Sequence, residues 1–289
     1  MAVQIIADSA SDLPLSYFEE NDVVFIPLKV HLDGIDYEDL KGITPDEVYK
    51  AMIEGRVPKT SQPSLEYFLD TFRKTAAENK QAVYLAFSSA LSGTYQSAVL
   101  ALEQVKEDYP EADIDIIDTK CASLGYGLAV KFAVHLAAGG ADKDRILKDS
   151  SFYCRHMEHL FTVDNLEYLA RGGRISKASA FFGGLLNIKP LLNMEDGQLV
   201  PLEKLRGKKK LLKRILELMG ERGESLSQQT VAISHADALE TAEEWKQAIM
   251  DEFHVKDVYI HTVGSAIGAH AGPGTIAVFF LNELPPSDL

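Results

Sequence analysis

Ala82-Val83-Tyr84-Leu85-Ala86-Phe87, followed at once by Ser88-Ser89-Ala90-Leu91-Ser92-Gly93-Thr94-Tyr95, decides how this chain is read. The first six residues are an unbroken apolar run of strand length, which predicts a strand covered on both faces. The hydroxyl-rich turn after it opens a helix predicted to reach about Tyr109. A buried strand running through a polar turn into a helix is one unit of a parallel α/β sheet. Ligands of such sheets lie beyond the carboxyl ends of the strands, so the same stretch points to a site.

Working outward, residues 3–7 form another apolar run, ending in Asp8-Ser9-Ala10-Ser11-Asp12-Leu13-Pro14, a turn rich in helix-capping residues. A helix follows at about 15–20, a second strand over Val23–Leu32 and a turn at Asp33-Gly34. Thr44-Pro45-Asp46-Glu47 combines a cap hydroxyl, proline at the first helical position and glutamate at the third, and starts a helix to about Glu54. Pro58–Pro63 reads as an irregular connection, and Leu65–Asn79 as an amphipathic helix with Phe68, Phe72 and Ala76 on one stripe. Ile114–Asp118 is a further strand and Leu124–Ala138 a further helix, which leaves Asp8, Ser88 and Asp118 at predicted strand ends.

From about residue 152 the pattern changes. Phe152–Val163 reads as a strand, Leu166–Arg171 as a short helix, Leu191–Leu202 as a hairpin around Asp196-Gly197, and Lys208–Met219 as a helix. Strands are predicted at Val231–His235, Asp257–Thr262 and Thr275–Phe280, with a helix at about 238–252. The expected architecture is an α/β parallel-sheet domain over 1–152 and an α+β domain with an antiparallel or mixed sheet over 153–289, with a ligand between them.

A length of 289 residues suits two domains, and 46% hydrophobic with 25% charged residues is enough for both to bury a core. The net charge of −14 argues against general nucleic-acid binding, since phosphates would be repelled. The two cysteines, Cys121 and Cys154, exclude a disulfide framework and suit a reducing cytosol. Met1–Asp8 reads as a first strand and not as a signal peptide. The most apolar window, Leu124–Ala138, is interrupted by Lys131 and His135, so a cytoplasmic protein with at most transient membrane-surface contact is expected.

Two hydroxyl turns stand out, Thr60-Ser61-Gln62-Pro63-Ser64 and Ser88–Tyr95. Each alone reads as an ordinary helix cap. Facing each other, they would hold an anionic head group with hydroxyls and helix-start N–H groups. Ser92-Gly93-Thr94 resembles a nucleophile elbow only loosely, because Ala90 stands where the first glycine belongs. The glycine-rich segment Gly264–Gly274 lacks the dinucleotide spacing. Its small residues let His270 approach a ligand, or simply pack. Cys154-Arg155-His156-Met157-Glu158-His159 fits no zinc spacing, and neither a metal nor a cofactor is expected. The basic stretch Lys204–Arg214 reads as a solvated helix face or as a contact for an anionic partner. Arg171-Gly172-Gly173-Arg174 reads as a loop presenting guanidinium groups to phosphate.

Taken in order, Asp8–Pro14, Lys59–Ser64, Ser88–Tyr95, Leu166–Ile175 and Gly268–Gly274 resemble the DegV family, which includes the FakB fatty-acid-binding subunits of bacterial fatty acid kinase. The resemblance implies a two-domain, non-catalytic carrier that buries one long-chain fatty acid. It implies that Thr60, Ser61 and Ser92 hold the carboxylate, with Gly93, Thr94 and His270 beside them. It further implies that a separate ATP-dependent kinase subunit phosphorylates the bound acid, with Arg171, Arg174 and Arg206 facing that partner or its phosphate.

The energetics permit this. A sixteen-carbon acid buries about fourteen methylenes at ~0.8 kcal/mol each, on the order of 11 kcal/mol, against an association cost of 4 kcal/mol or somewhat more, roughly. Phe181-Phe182-Gly183-Gly184-Leu185-Leu186 is expected to line or gate the tunnel, or to be ordinary core. Two other classes stay open: a serine acyl hydrolase using Ser92 and His270, which lacks an evident acid to orient the histidine, and a small-anion sensor acting through the basic stretch.

Overall fold

The computed structural model describes residues 3–175 and 187–285. The Phe181–Leu186 segment lies outside the described residues. Among the described residues the first half carries a four-stranded sheet in the order β2-β1-β6-β7, with β1 Gln4–Asp8, β2 Val24–Ile26, β6 Ala82–Ala86 and β7 Ile114–Asp118. Every pairing in it is parallel. All five residues of β1 and of β6 are buried, as their apolar runs predict.

Helices cover both faces of this sheet. Ile6, Tyr84 and Ile114 pack with Phe68 and Phe72 of α3 (Leu65–Ala77) and Ala98 and Val105 of α4 (Thr94–Asp108). Ile5, Val83 and Leu85 point the other way, to Tyr126 and Val130 of α5 (Ser123–Ala138) and Ile146 of α6 (Lys143–Arg155). The period-2 alternation of a strand sends neighbours to opposite cores. One buried cluster runs through α5 from Ile5 to Phe279 and joins this sheet to the second. The apolar window examined as a membrane span is therefore the helix between two sheets. Among the described residues no helix is long and apolar enough to cross a membrane.

The second sheet has the order β10-β9-β8-β13-β11-β12, with β8 Met157–Thr162, β9 Ile188–Glu195, β10 Gln198–Arg206, β11 Thr230–His235, β12 Asp257–Thr262 and β13 Ile276–Leu281. Only β11 and β12 run parallel; the other pairings are antiparallel. This is the mixed sheet expected. Its outer face is closed by α8 (Lys208–Arg222) and α9 (Leu239–Phe253), with Ile215, Met219, Trp245 and Ile249 in one cluster.

The structure departs from the sequence reading at four places. Val23–Leu32 is two strands in two sheets, because Pro27, which has no N–H to donate, separates β2 from β3 (Lys29–Leu32). Pro58–Pro63 is not irregular throughout: Lys59–Ser61 forms β5, paired with β3, while β4 (Ile35–Glu38) follows the Asp33-Gly34 turn on its other side. The strand read over Phe152–Val163 begins at Met157, since Phe152–Arg155 is the last turn of α6, a helix capped by the Asp142 side chain. The glycine-rich segment contains a seven-residue helix, α10 (Ser265–Ala271), whose small residues let it lie against its neighbours. The α2 start is as read: Thr44 and Glu47 form a reciprocal capping box on Pro45–Ile53.

Candidate functional site

A cavity of about 330 Å³ opens between the two sheets. This lies near the lower end of the roughly 300–1,000 Å³ common for ligand pockets. Leu28, Phe87 and Leu91 line it from the first half, and Phe161, Met194 and Phe279 from the second. Into this apolar lining come two polar groups.

The first is built from Thr60, Ser61, Gln62, Ser92, Gly93, Arg174 and His270, all of which line the cavity. Thr60 and Ser61 do not cap the helix that follows; Ser64 does, accepting from the Tyr67 N–H. The strand β5 presents them instead. Thr60 pairs in register with the buried Val30 and faces α10, where its Oγ1 lies 2.6 Å from His270 Nε2. Ser61, one residue on, faces the opposite side of the small β4-β3-β5 sheet, where its Oγ lies 2.9 Å from His31 Nε2. His31 Nδ1 is in turn 2.5 Å from Asp36 Oδ1.

The second hydroxyl turn is clamped by the acids at the strand ends. Asp8 accepts from the Phe87 N–H at 3.0 Å and from the Tyr84 hydroxyl at 2.7 Å. Burial pushes the Asp8 carboxyl up to about 6 against these hydrogen bonds. Asp118 accepts from the Ser89 N–H at 3.1 Å and pairs with Lys120. These contacts leave Ser92 at the start of α4, where its Oγ lies 2.8 Å from Thr94 Oγ1. Gly93 has an ordinary negative φ of −73°, so its use is close approach: a Cβ there would sit 2.2 Å from Gln62 Oε1. Gln62 donates to Ser97 Oγ at 2.6 Å, which ties the first hydroxyl turn to the helix α4 that follows the second.

His270 is pushed down to about 4, first by burial and then by the positive charge of Arg174. It is therefore a neutral imidazole near pH 7. A Cβ on Gly172 would lie 2.2 Å from its Nδ1, which explains the glycine between the two arginines. Arg174 donates from Nε to the Leu91 carbonyl at 3.1 Å and from Nη1 to the Gly172 carbonyl. Its guanidinium is thus at the cavity, while the exposed Arg171 lies over the Tyr168 ring and the exposed Arg206 ends β10. Neither Arg171 nor Arg206 lines the cavity. Thr94 is fully buried and does not line it either; its contact is with Ser92.

The second polar group is Ser123, Ser234 and His159. Ser123 Oγ donates to Asp12 and lies 2.9 Å from Ser234 Oγ. Asp12 also accepts from the Gly264 N–H at 2.8 Å, and burial pushes its carboxyl up to about 8. His159 Nδ1 lies 3.1 Å from the Met157 carbonyl and so carries the proton, leaving Nε2 to accept from Ala122 N–H at 3.3 Å. Burial holds this imidazole at about 4, so it is neutral. Cys121 and Cys154 are buried thiols. Among the described residues no group of three or more His, Cys, Asp or Glu could hold a metal ion.

His31 and Asp36 were missed in the sequence. A signal for them exists: the two-residue Asp33-Gly34 turn fixes the register Leu32↔Ile35 and His31↔Asp36, which puts both on one face.

A family model for the DegV family matches residues 2–283. A DegV domain-containing protein of Clostridium perfringens is 40% identical over 282 residues, covering 96% of this chain and 97% of that one. Two solved structures superpose closely. A fatty-acid-binding DegV family protein from Thermus thermophilus has a TM-score of 0.89 at 33% identity, over 96% of this chain and 99% of that chain. A stearic acid-binding protein from Eubacterium ventriosum has a TM-score of 0.88 at 30% identity, over 97% and 99%. With a match over nearly its full length to the family model and at 40% identity to a relative, the chain belongs to the DegV family.

Proposed function

We propose that this protein is a non-catalytic carrier that buries one long-chain fatty acid between its two sheets and presents the carboxylate to a separate ATP-dependent fatty acid kinase subunit. The observation that carries the lipid reading is the cavity itself: a largely apolar lining that also includes Thr60, Ser61, Ser92, His270 and Arg174. Hydroxyls and a guanidinium are donors, and a carboxylate accepts only, so the chemistry matches. Apolar burial supplies affinity and the donors supply orientation. The fatty-acid-binding relatives support the same ligand class. Arg171 and Arg206, exposed and outside the cavity, are offered as the surface the kinase reads.

The serine-hydrolase reading finds no support in the geometry. The Nε2 of His270 is taken by Thr60 and not by Ser92, and the charged group acting on His270 is Arg174, not an acid. Native mass spectrometry of the purified protein, followed by lipid extraction, tests the carrier reading. The expected result is one fatty acid of long chain per protein. A short polar ligand, or an empty protein that does not take up palmitate, would overturn it. Transfer of phosphate from ATP to the bound acid by an added kinase subunit tests the partner.

A further inference from the structure

The lipid site leaves one end of the second sheet unused. β11 and β12, the parallel pair of that sheet, are joined by the crossover helix α9. Ligands of such units lie beyond the carboxyl ends of the strands. Those ends, His235 and Thr262, line a second cavity of about 510 Å³ on the outer face of the sheet, beside the starts of α8 and α9. It shares no lining residue with the lipid cavity.

The strand period decides which side chains reach it. Phe161 of β8 and Ser234 of β11 line the lipid cavity, so their neighbours Thr162 and His235 face the other way. Thr162 is only 3% exposed, and its hydroxyl has no hydrogen-bond partner among the described residues. A buried hydroxyl without a partner is unfavourable, so the site calls for an acceptor. His235 accepts from the Ala238 N–H through Nδ1 at 3.4 Å, and burial lowers its pKa from the ordinary 6.5. Its ring is therefore neutral near pH 7, with the hydrogen on Nε2. The helix α9 starts at Ala238 without a side-chain cap, which leaves its first-turn N–H groups with no acceptor inside the helix. The floor of the cavity is thus a set of donors.

The rim has the opposite character. Asp46, Asp237 and Glu240 line the cavity and are exposed, joined by the exposed Lys208. Asp164 also lines it and is bound to Lys189 at 2.6 Å. Donors on the floor suit an anionic group, whereas the rim carboxylates repel a bare polyanion and attract a cation. We propose that this cavity is a second ligand site and takes a small zwitterion, with a phosphate or carboxylate group against Thr162, His235 and the start of α9 and an ammonium group toward Asp46, Asp237 and Glu240. The site stands apart from the lipid reading.

Calorimetry on the full chain tests it. The probes are phosphoethanolamine and β-alanine, which distinguish the two anionic groups, with inorganic phosphate, propionate and ethanolamine as their halves. One of the zwitterions is expected to bind saturably at millimolar concentration and several-fold more tightly than either of its halves. Thr162→Val removes only the unpartnered hydroxyl and is expected to weaken that binding about 10-fold. Asp237 has a φ of 51°, a conformation that asparagine accepts, so Asp237→Asn keeps the turn and removes the charge. It is expected to weaken the zwitterion about 3-fold while inorganic phosphate binds no more weakly than before. Melting curves and lipid content of both variants are expected to match wild type, since neither residue lines the lipid cavity. No saturable binding of either zwitterion, binding no tighter than that of the halves, or undiminished affinity in Thr162→Val or Asp237→Asn overturns the proposal.

Discussion

Thr60 Oγ1 and His270 Nε2 lie 2.6 Å apart although 210 residues separate them in the chain. The short strand β5 places the hydroxyl by pairing Thr60 with Val30, and the seven-residue helix α10 brings the imidazole across from the second half. Thr60→Val keeps the β-branched shape that suits a strand and deletes the hydroxyl. A hydrogen bond to a charged group is worth about 1.5–3 kcal/mol. The variant is therefore expected to bind palmitate roughly 10- to 100-fold more weakly with little change in melting temperature. A displacement titration with a fluorescent fatty acid measures this, and unchanged affinity would remove Thr60 from the head-group site.

Gly172 tests the same contact from behind. Its φ of −71° suits any residue, so alanine brings no backbone strain. The added Cβ, however, would sit 2.2 Å from His270 Nδ1. Gly172→Ala is expected to push the imidazole off Thr60 and lower lipid retention about 10-fold or more while the protein stays folded. Lipid co-purifying at wild-type stoichiometry would show that the ring has room to yield.

Ser92 and Thr94 separate a contact residue from a positioning one. Ser92→Ala removes a hydroxyl at the cavity and is expected to weaken lipid retention about 10-fold without unfolding. Thr94→Val removes only the partner that holds Ser92 at 2.8 Å. Its effect on retention is expected to be smaller. However, its buried site now carries an apolar methyl in place of the hydroxyl, so any stability change is confined to about 1 kcal/mol. Native mass spectra and melting curves of the two variants give both orders.

The arginines divide in the same way. Arg174 is at the cavity, bonded to the Leu91 carbonyl, whereas Arg206 is exposed at the end of β10. Arg174→Ala is expected to lose bound lipid. Arg206→Ala is expected to keep it and to slow phosphorylation by the kinase subunit, since a surface guanidinium acts on encounter and docking. A normal phosphorylation rate in Arg206→Ala would take that residue out of the partner surface.

The parallel sheet was legible because β1, β6 and β7 are compact apolar runs ended by acids and hydroxyls, and local pattern alone sets them. The helix α6 was not, because its apolar positions are sparse and its Asp142 cap lies in a stretch with no other strong signal. Within the site, Thr60, Ser61, Ser92 and His270 were found as residue types in small turns. Their pairing was not, because the faces of β5 are fixed by its register on β3, a strand that the sequence seemed to run on from β2. Arg174 was read as facing the kinase partner or its phosphate; two backbone carbonyls hold its guanidinium at the cavity, a contact that no sequence pattern encodes.

Asp12 gives the protein a distinctive response to pH. It is buried at the joint between the halves, accepting from Gly264 and bonded to Ser123, and burial raises its carboxyl from an ordinary 3.8 to about 8. Between these values the folded protein keeps a proton that the unfolded chain has lost. Fewer protons on the unfolded state mean that stability falls as pH rises, so this contribution is full below about pH 4 and is lost progressively up to about pH 8. Asp12→Asn supplies the neutral form permanently: its carbonyl can accept from Gly264 and its amide can donate to Ser123 Oγ. Removing a raised carboxyl is worth on the order of 1 kcal/mol per pKa unit. The variant is expected to melt higher than wild type at pH 8, with the difference shrinking toward pH 5. Thermal melts of both proteins across that range decide it, and a variant less stable than wild type at pH 8 would mean that the joint works with the ionised carboxylate.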